Sequence, residues 1–139
     1  MTTAEIGTRV VARASSGPGV LLVGESNPFG GDPYFALWPD PPQCSGGRLA
    51  QILGMGHSEY LRSFDRVNLL VGPRWDARLA RIAAGLLRSY HYKVLLGARV
   101  ARAHEVDFVP FGAVLRPTGY WVVLPHPSGR SRLWNASDS

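Results

Sequence analysis

Cysteine is nearly absent from this sequence: Cys44 is the only one in 139 residues. No disulfide can close within the chain, and no cysteine-ligated zinc site or iron–sulfur cluster can form from it. The four histidines, His57, His91, His104 and His126, stand far apart and show no HExxH spacing, so no metal is expected. No apolar run approaches the length of a membrane span. The first twenty residues carry Glu5, Arg9 and Arg13 and lack the apolar core of a signal peptide. The expectation is a soluble, cytoplasmic monomer with no membrane partner. Neither a Gly-Lys-Ser/Thr phosphate loop nor a GxGxxG turn occurs, so no nucleotide cofactor, and no cofactor of any kind, is expected.

Lysine is equally scarce. Lys93 is the only one, so fourteen of the fifteen basic residues are arginine, and the net charge is +5 with a pI of about 10.0. An arginine fork matches two phosphate oxygens at once. The basic balance favours a polyanionic partner, nucleic acid first. Codon bias toward arginine explains the same composition about as well.

The length suits one domain, residues 1–139. Residues 1–19 read as a leader with one short strand or helix at 6–12, ended by Ser15-Ser16-Gly17-Pro18-Gly19. A core at 20–135 and a tail at 136–139 follow. Four short apolar runs, 20–24, 66–71, 93–97 and 120–125, each end at Gly or Pro and read as strands buried on both faces. Helical patterns lie between them at 47–53, 58–64, 76–90 and 98–104. The longest carries an apolar stripe of Leu79, Ile82, Ala83, Leu86 and Tyr90. Its arginines, Arg74, Arg78, Arg81 and Arg88, read as a solvated face. Residues 105–119 read as a loop with an edge strand. Strand–helix alternation predicts an α/β fold, a three-layer α/β/α domain with a central four-stranded, mainly parallel sheet. Ligands of such sheets bind beyond the carboxyl ends of the strands. That rule directs attention to 25–28, 68–72, 97–99 and 126–130.

Two of these places carry distinctive residues. The first is Gly24-Glu25-Ser26-Asn27-Pro28-Phe29-Gly30-Gly31, a Gly-rich loop. The second is Leu124-Pro125-His126-Pro127-Ser128-Gly129-Arg130, where two prolines fix the direction of His126 and Ser128 begins a turn able to cradle phosphate. Taken singly, the first is an ordinary turn and the second a rigid corner.

Together the two segments resemble the signature motifs of the uracil-DNA glycosylase superfamily. Its first motif follows the first strand and reads GQDPY, GxNPG or GEAPG in different branches. Its second follows the last strand and reads HPS or HPA. The likeness covers roughly residues 20–135, and the form of the motifs is closest to the single-strand-selective and mismatch-specific branches. The resemblance implies a uracil-DNA glycosylase-like fold and assigns roles by position. His126 matches the histidine that hydrogen-bonds the leaving base as negative charge grows on it. Asn68 resembles the asparagine that reads the uracil edge, an amide being able to donate and accept; the competing reading is a buried asparagine satisfied by backbone. Ser26 falls beside the base; Phe29, Phe35 and Trp38 are the candidates for the aromatic that stacks on it, and Phe35 is the one put forward. Ser128, Arg130 and Arg132 fall where the family contacts DNA, Arg130 as the wedge filling the gap left by the flipped base.

The water-positioning column is where the sequence departs from the family. Ser26 stands where other branches have Asp or Asn. Asn27, one residue later, is the first choice for the work, with Glu25 and Asp32 as competitors. Asp32 lies in Gly31-Asp32-Pro33-Tyr34, a partial GQDPY match too late in the chain to be read as the motif.

What the resemblance implies is a monofunctional DNA glycosylase acting on uracil or a related damaged or modified base, with DNA as its partner. A protein that binds DNA or a base on the same fold without cutting is the alternative. A hydrolase of free nucleosides or nucleotides is a third, weaker one.

Overall fold

A computed structural model describes residues 5–7, 11–15, 19–27, 32–117 and 119–127, with the backbone alone for Glu5, Asn27 and Arg116. Val20–Asn27 (β2) is the first long strand, running three residues further than its apolar stretch. Glu25, Ser26 and Asn27 therefore belong to the strand and not to the loop in which the sequence places them. Ser26 pairs with Leu70 and Asn27 with Val71 of β3, Phe64–Val71. Pairing on a neighbour overrides the polarity of these three residues.

The sheet has the order β1-β3-β2-β4-β6-β5. β4 is Tyr92–Leu96 and β6 is Gly119–Leu124. The four strands expected, β3, β2, β4 and β6, are its parallel centre. The four-stranded count is corrected by two antiparallel edges, the two-residue β1 at Glu5–Ile6 and β5 at Ala113–Arg116. β5 is the edge strand expected within 105–119, and β1 stands at the start of the short strand or helix expected at 6–12; neither is counted among the four. β1 also brings the leader into the sheet: Glu5 and Ile6 pair with Val71 and Leu70, and Ala12 bridges to Arg66. Buried Asp65 holds this segment, accepting from the Ala14 amide at 2.7 Å and the Gly19 amide at 3.4 Å.

Helices cover both faces. Ser45–Ile52 (α1) and His57–Ser63 (α2) pack Leu49, Ala50 and Tyr60 against Leu22 and Leu96. Ala77–Gly85 (α3) and Ala98–Ala103 (α4) cover Leu21, Val23, Val67, Leu69, Leu95 and Val123. The period of two within each strand splits neighbours such as Leu21 and Leu22, or Leu95 and Leu96, between the two layers. Burial of each such leucine stabilises by roughly 1.5–3 kcal/mol.

α3 is shorter than the expected 76–90, and its apolar face is rotated. Asp76 caps it through the Leu79 amide at 3.1 Å, and Leu86 is its C-cap. The fully buried stripe is Ala80, Ala83, Ala84 and Leu87; Leu79 and Tyr90 of the expected stripe pack against the same core partly buried, while Ile82 and Leu86 are exposed. Both stripes have helical spacing; the small one packs against α4, and alanine lets two helices approach closely. Arg74, Arg78, Arg81 and Arg88 are exposed, as a solvated face requires. No helix among the described residues is long and apolar enough to cross a membrane.

The α3/α4 layer buries two bases. Lys93 Nζ lies 4.7 Å from the centre of the Trp121 ring and makes no hydrogen bond among the described residues. Burial pulls its ammonium down to about 8. His104 Nδ1 donates to the Val100 carbonyl at 2.9 Å and the ring packs edge-on against Trp121. Burial pulls His104 down to about 4. Both bases hold protons more weakly when folded than when unfolded, so stability rises with pH inside each window. For His104 the window runs from 4 to 6.5; for Lys93 it runs from 8 to 10.5. Above pH 10 buried Tyr60, whose phenol burial pushes up, opposes the trend, because its unfolded form ionises first. Denaturant titrations should therefore show stability rising by about 2 kcal/mol between pH 7 and 9.5. Lys93→Met should be more stable than the parent at pH 7 and flat over that range. A parent curve that falls from pH 8 to 9.5 contradicts a buried, unpaired Lys93.

Candidate functional site at the strand ends

The chain leaves β2 for β3 on one side and then crosses back to β4 on the other. The order reverses between β2 and β4, and in open α/β sheets the crevice beyond the carboxyl ends at that point binds ligands. Here it is bounded by Glu25 from β2, Gly97 after β4, and His126 after β6.

Gly97 brings these residues together. It caps α4 with φ +97°, a conformation natural to glycine. A Cβ at this position would stand 3.3 Å from Glu25 Oε2, 3.3 Å from His126 Cβ and 3.5 Å from His126 Cδ2. The carboxylate and the imidazole thus close on one point from two strands. His126 is half-buried between buried Pro125 and Pro127. Its turn is fixed from α1, where Arg48 Nε donates to the Pro127 carbonyl at 2.7 Å. Glu25 lies on the α4 side of the sheet with Leu21 and Val23, and its Oε1 is 3.8 Å from Arg99 Nη1. The Arg99 guanidinium lies over Trp75, 5.5 Å from the ring centre.

Asn68 occupies the opposite face. It pairs with Gly24, three residues before the end of β3, and is buried. Its Oδ1 and the Leu37 side chain fill the space a side chain at Gly24 would need. Ser26 is half-buried two residues along β2. The sheet therefore separates Asn68 from Glu25, and the two faces meet only at the strand ends.

Asp32 is placed by a local task. Its carboxylate accepts from the Tyr34 amide at 3.0 Å and caps the short 3-10 helix Pro33–Phe35. Phe35 belongs to an aromatic group with Tyr34 and Trp38, ring centres 5.1–5.2 Å apart, and is half exposed. Buried Arg66 ties this segment to β3, donating to the Ala36 carbonyl at 2.8 Å and the Tyr34 carbonyl at 3.1 Å. Asn27 ends β2 at the crevice. Phe29, Ser128, Arg130 and Arg132 lie outside the described residues.

The structure brings Glu25 and His126 each against Gly97, assigns Asp32 to a cap and leaves Asn68 across the sheet. Arg48, Arg66 and Arg99 have site roles that no motif singled out. For Arg99 a signal existed, since the strand-end rule picks out residues 97–99. For Arg48 there was none, because its partner is a backbone carbonyl 79 residues away. Comparison with family models, curated proteins and solved structures finds no match for this chain. What the fold and geometry define is an α/β domain with a carboxylate–imidazole pair at its topological switch point.

Gly97→Ala should test that geometry. The left-handed backbone and the crowding by Glu25 and His126 together predict a loss of about 1–3 kcal/mol in stability. A shift of the His126 ring signals in NMR spectra should accompany it. Spectra unchanged at residue 126 would mean that the side chains do not share this point.

Proposed function

We propose that this chain is a monofunctional DNA glycosylase that hydrolyses the N-glycosidic bond of uracil or a related damaged or modified base, in the manner of the uracil-DNA glycosylases. The observation carrying the proposal is the meeting of Glu25 and His126 at Gly97, beyond the carboxyl ends of β2 and β4. The motif resemblance and the net charge of +5 add to it.

The target base would be unstacked into the crevice, at a cost of a few kcal/mol. Its bond to C1′ stretches through an oxocarbenium-like state. The His126 ring hydrogen-bonds the base as it leaves with the bonding electrons. Glu25 orients a water toward C1′ and takes its proton as the new C–O bond forms. Glu25 takes precedence over Asn27 here because its carboxylate and the histidine both close on Gly97, and over Asp32 because that carboxylate is committed to the Tyr34 amide. Phe35 and its neighbours offer a stacking surface, and Ser26 and Asn68 the polar groups of the other face.

One observation favours a protein that binds DNA without cutting: the carboxylate already faces an arginine. Activity decides between the two. Oligonucleotides holding uracil, hypoxanthine, hydroxymethyluracil or a G:T mismatch should lose the base, giving alkali-labile sites. His126→Ala and Glu25→Gln should each slow release by about two to three orders of magnitude, and Asn27→Ala by less. Wild-type rates in the first two variants remove the assigned roles. No release from any substrate, with binding intact, establishes the non-cutting protein.

A further inference from the structure

Arg99 stands beside the carboxylate but is only loosely held there. The 3.8 Å separation from Glu25 is an ion pair longer than a hydrogen bond, and the Arg99 side chain is 53% exposed. Such half-exposed pairs contribute little to stability and are easily exchanged. Arg99 makes no hydrogen bond among the described residues. By contrast, Arg48 donates to Pro127 and Arg66 to the carbonyls of residues 34 and 36. Arg99 lies over Trp75, 5.5 Å from the ring centre, a contact that uses the face of the guanidinium and not its N–H donors. A phosphodiester presents two oxygens to such a fork, a better match than one distant carboxylate oxygen.

We propose that Arg99 is a phosphate-sensing residue: its guanidinium leaves Glu25 for a backbone phosphate of a nucleic-acid strand laid across the crevice. This rests on the glycosylase reading and narrows its substrate to a base within a phosphodiester chain. A free nucleoside brings no phosphate, so Arg99 stays on Glu25. A strand draws the guanidinium away, and the carboxylate is released to orient water. The reaction itself gains no new step; the exchange is between two ion pairs.

The test is binding of a labelled, thymine-only single strand, which offers phosphates and no base to excise, by fluorescence anisotropy over about 50 to 200 mM salt. Arg99→Gln should weaken binding about tenfold at the lowest salt. It should also flatten the plot of log affinity against log salt by about 0.7, the signature of one lost phosphate contact on a single strand. Arg99→Lys should keep the slope, which excludes a folding defect at this position. Glu25→Gln should tighten binding in the parent, where it frees the guanidinium, and much less in the Arg99→Gln background. An unchanged slope in Arg99→Gln, or equal tightening in both backgrounds, overturns the proposal. Base release from a uracil strand, measured on the same proteins, judges the glycosylase reading separately, because the salt slope needs no turnover.

Discussion

The approach of two strand ends across Gly97 is the constraint on which the site depends. Glu25 and His126 are 101 positions apart in the chain, and each belongs to a different strand exit. They close on one point because β4, lying between β2 and β6, is followed by a residue with no side chain. A Cβ there would press on both groups, and the positive φ would be strained for any other residue. The sheet supplies the rigidity. Buried leucines on both faces fix the strands, and short-range pairing carries that precision to the last residues of β2.

Around this centre, arginine does structural work usually left to apolar packing. Arg66 crosses from β3 to the segment holding Tyr34, Phe35 and Trp38, and Arg48 crosses from α1 to the turn holding His126. In both cases the guanidinium donates to backbone carbonyls of a segment without regular hydrogen-bonded partners. The Ala36 carbonyl, whose bond to Arg66 is buried, would otherwise stand unsatisfied at a cost of about 1–3 kcal/mol. A planar, always charged group suits the task, because several donors point in fixed directions. Part of the arginine excess is therefore interior, and net charge alone overstates the basic surface.

The parallel centre of the sheet was legible because each strand is an apolar run closed by Gly or Pro, and the two helical layers were legible from the patterns between them. The edges were legible in part: the sequence predicts an edge strand within 105–119, where β5 lies, but β1 has only two residues, at the start of a segment that reads as a short strand or helix over 6–12. The end of β2 was misplaced for a physical reason. Glu25, Ser26 and Asn27 are polar, so composition reads them as loop, while the neighbouring strand supplies the pairing that extends them. The candidate site was half legible. The strand-end rule and the His-Pro corner led to Glu25, Gly97 and His126, but nothing local says that the other two both close on residue 97. Asp32 shows the converse, a carboxylate whose motif likeness is explained by a cap two residues long.

The pleat of β2 also limits what kind of ligand the site can take. Leu22 and Gly24 face the α1/α2 layer, where Asn68 and Leu37 cover Gly24. Leu21, Val23 and Glu25 face the α3/α4 layer, where Arg99 and Trp75 stand. No molecule lying on one face can touch both sets. A ligand engaging Glu25 and the polar groups near Ser26 must enter end-on, over the tips of β2 and β4, with one part on each side of the sheet. A flat base joined through a sugar to a phosphate chain has that division built in: an edge to be read, a glycosidic carbon to be attacked, and a charged strand on the outside. The same geometry leaves little for an extended apolar ligand, because the tips present a carboxylate, an imidazole and a guanidinium in place of a greasy floor. The alternation of the strand thus puts Asn68 on one side of the sheet and Glu25 and Arg99 on the other, the division that the proposed reaction would use between reading a base and attacking its glycosidic carbon.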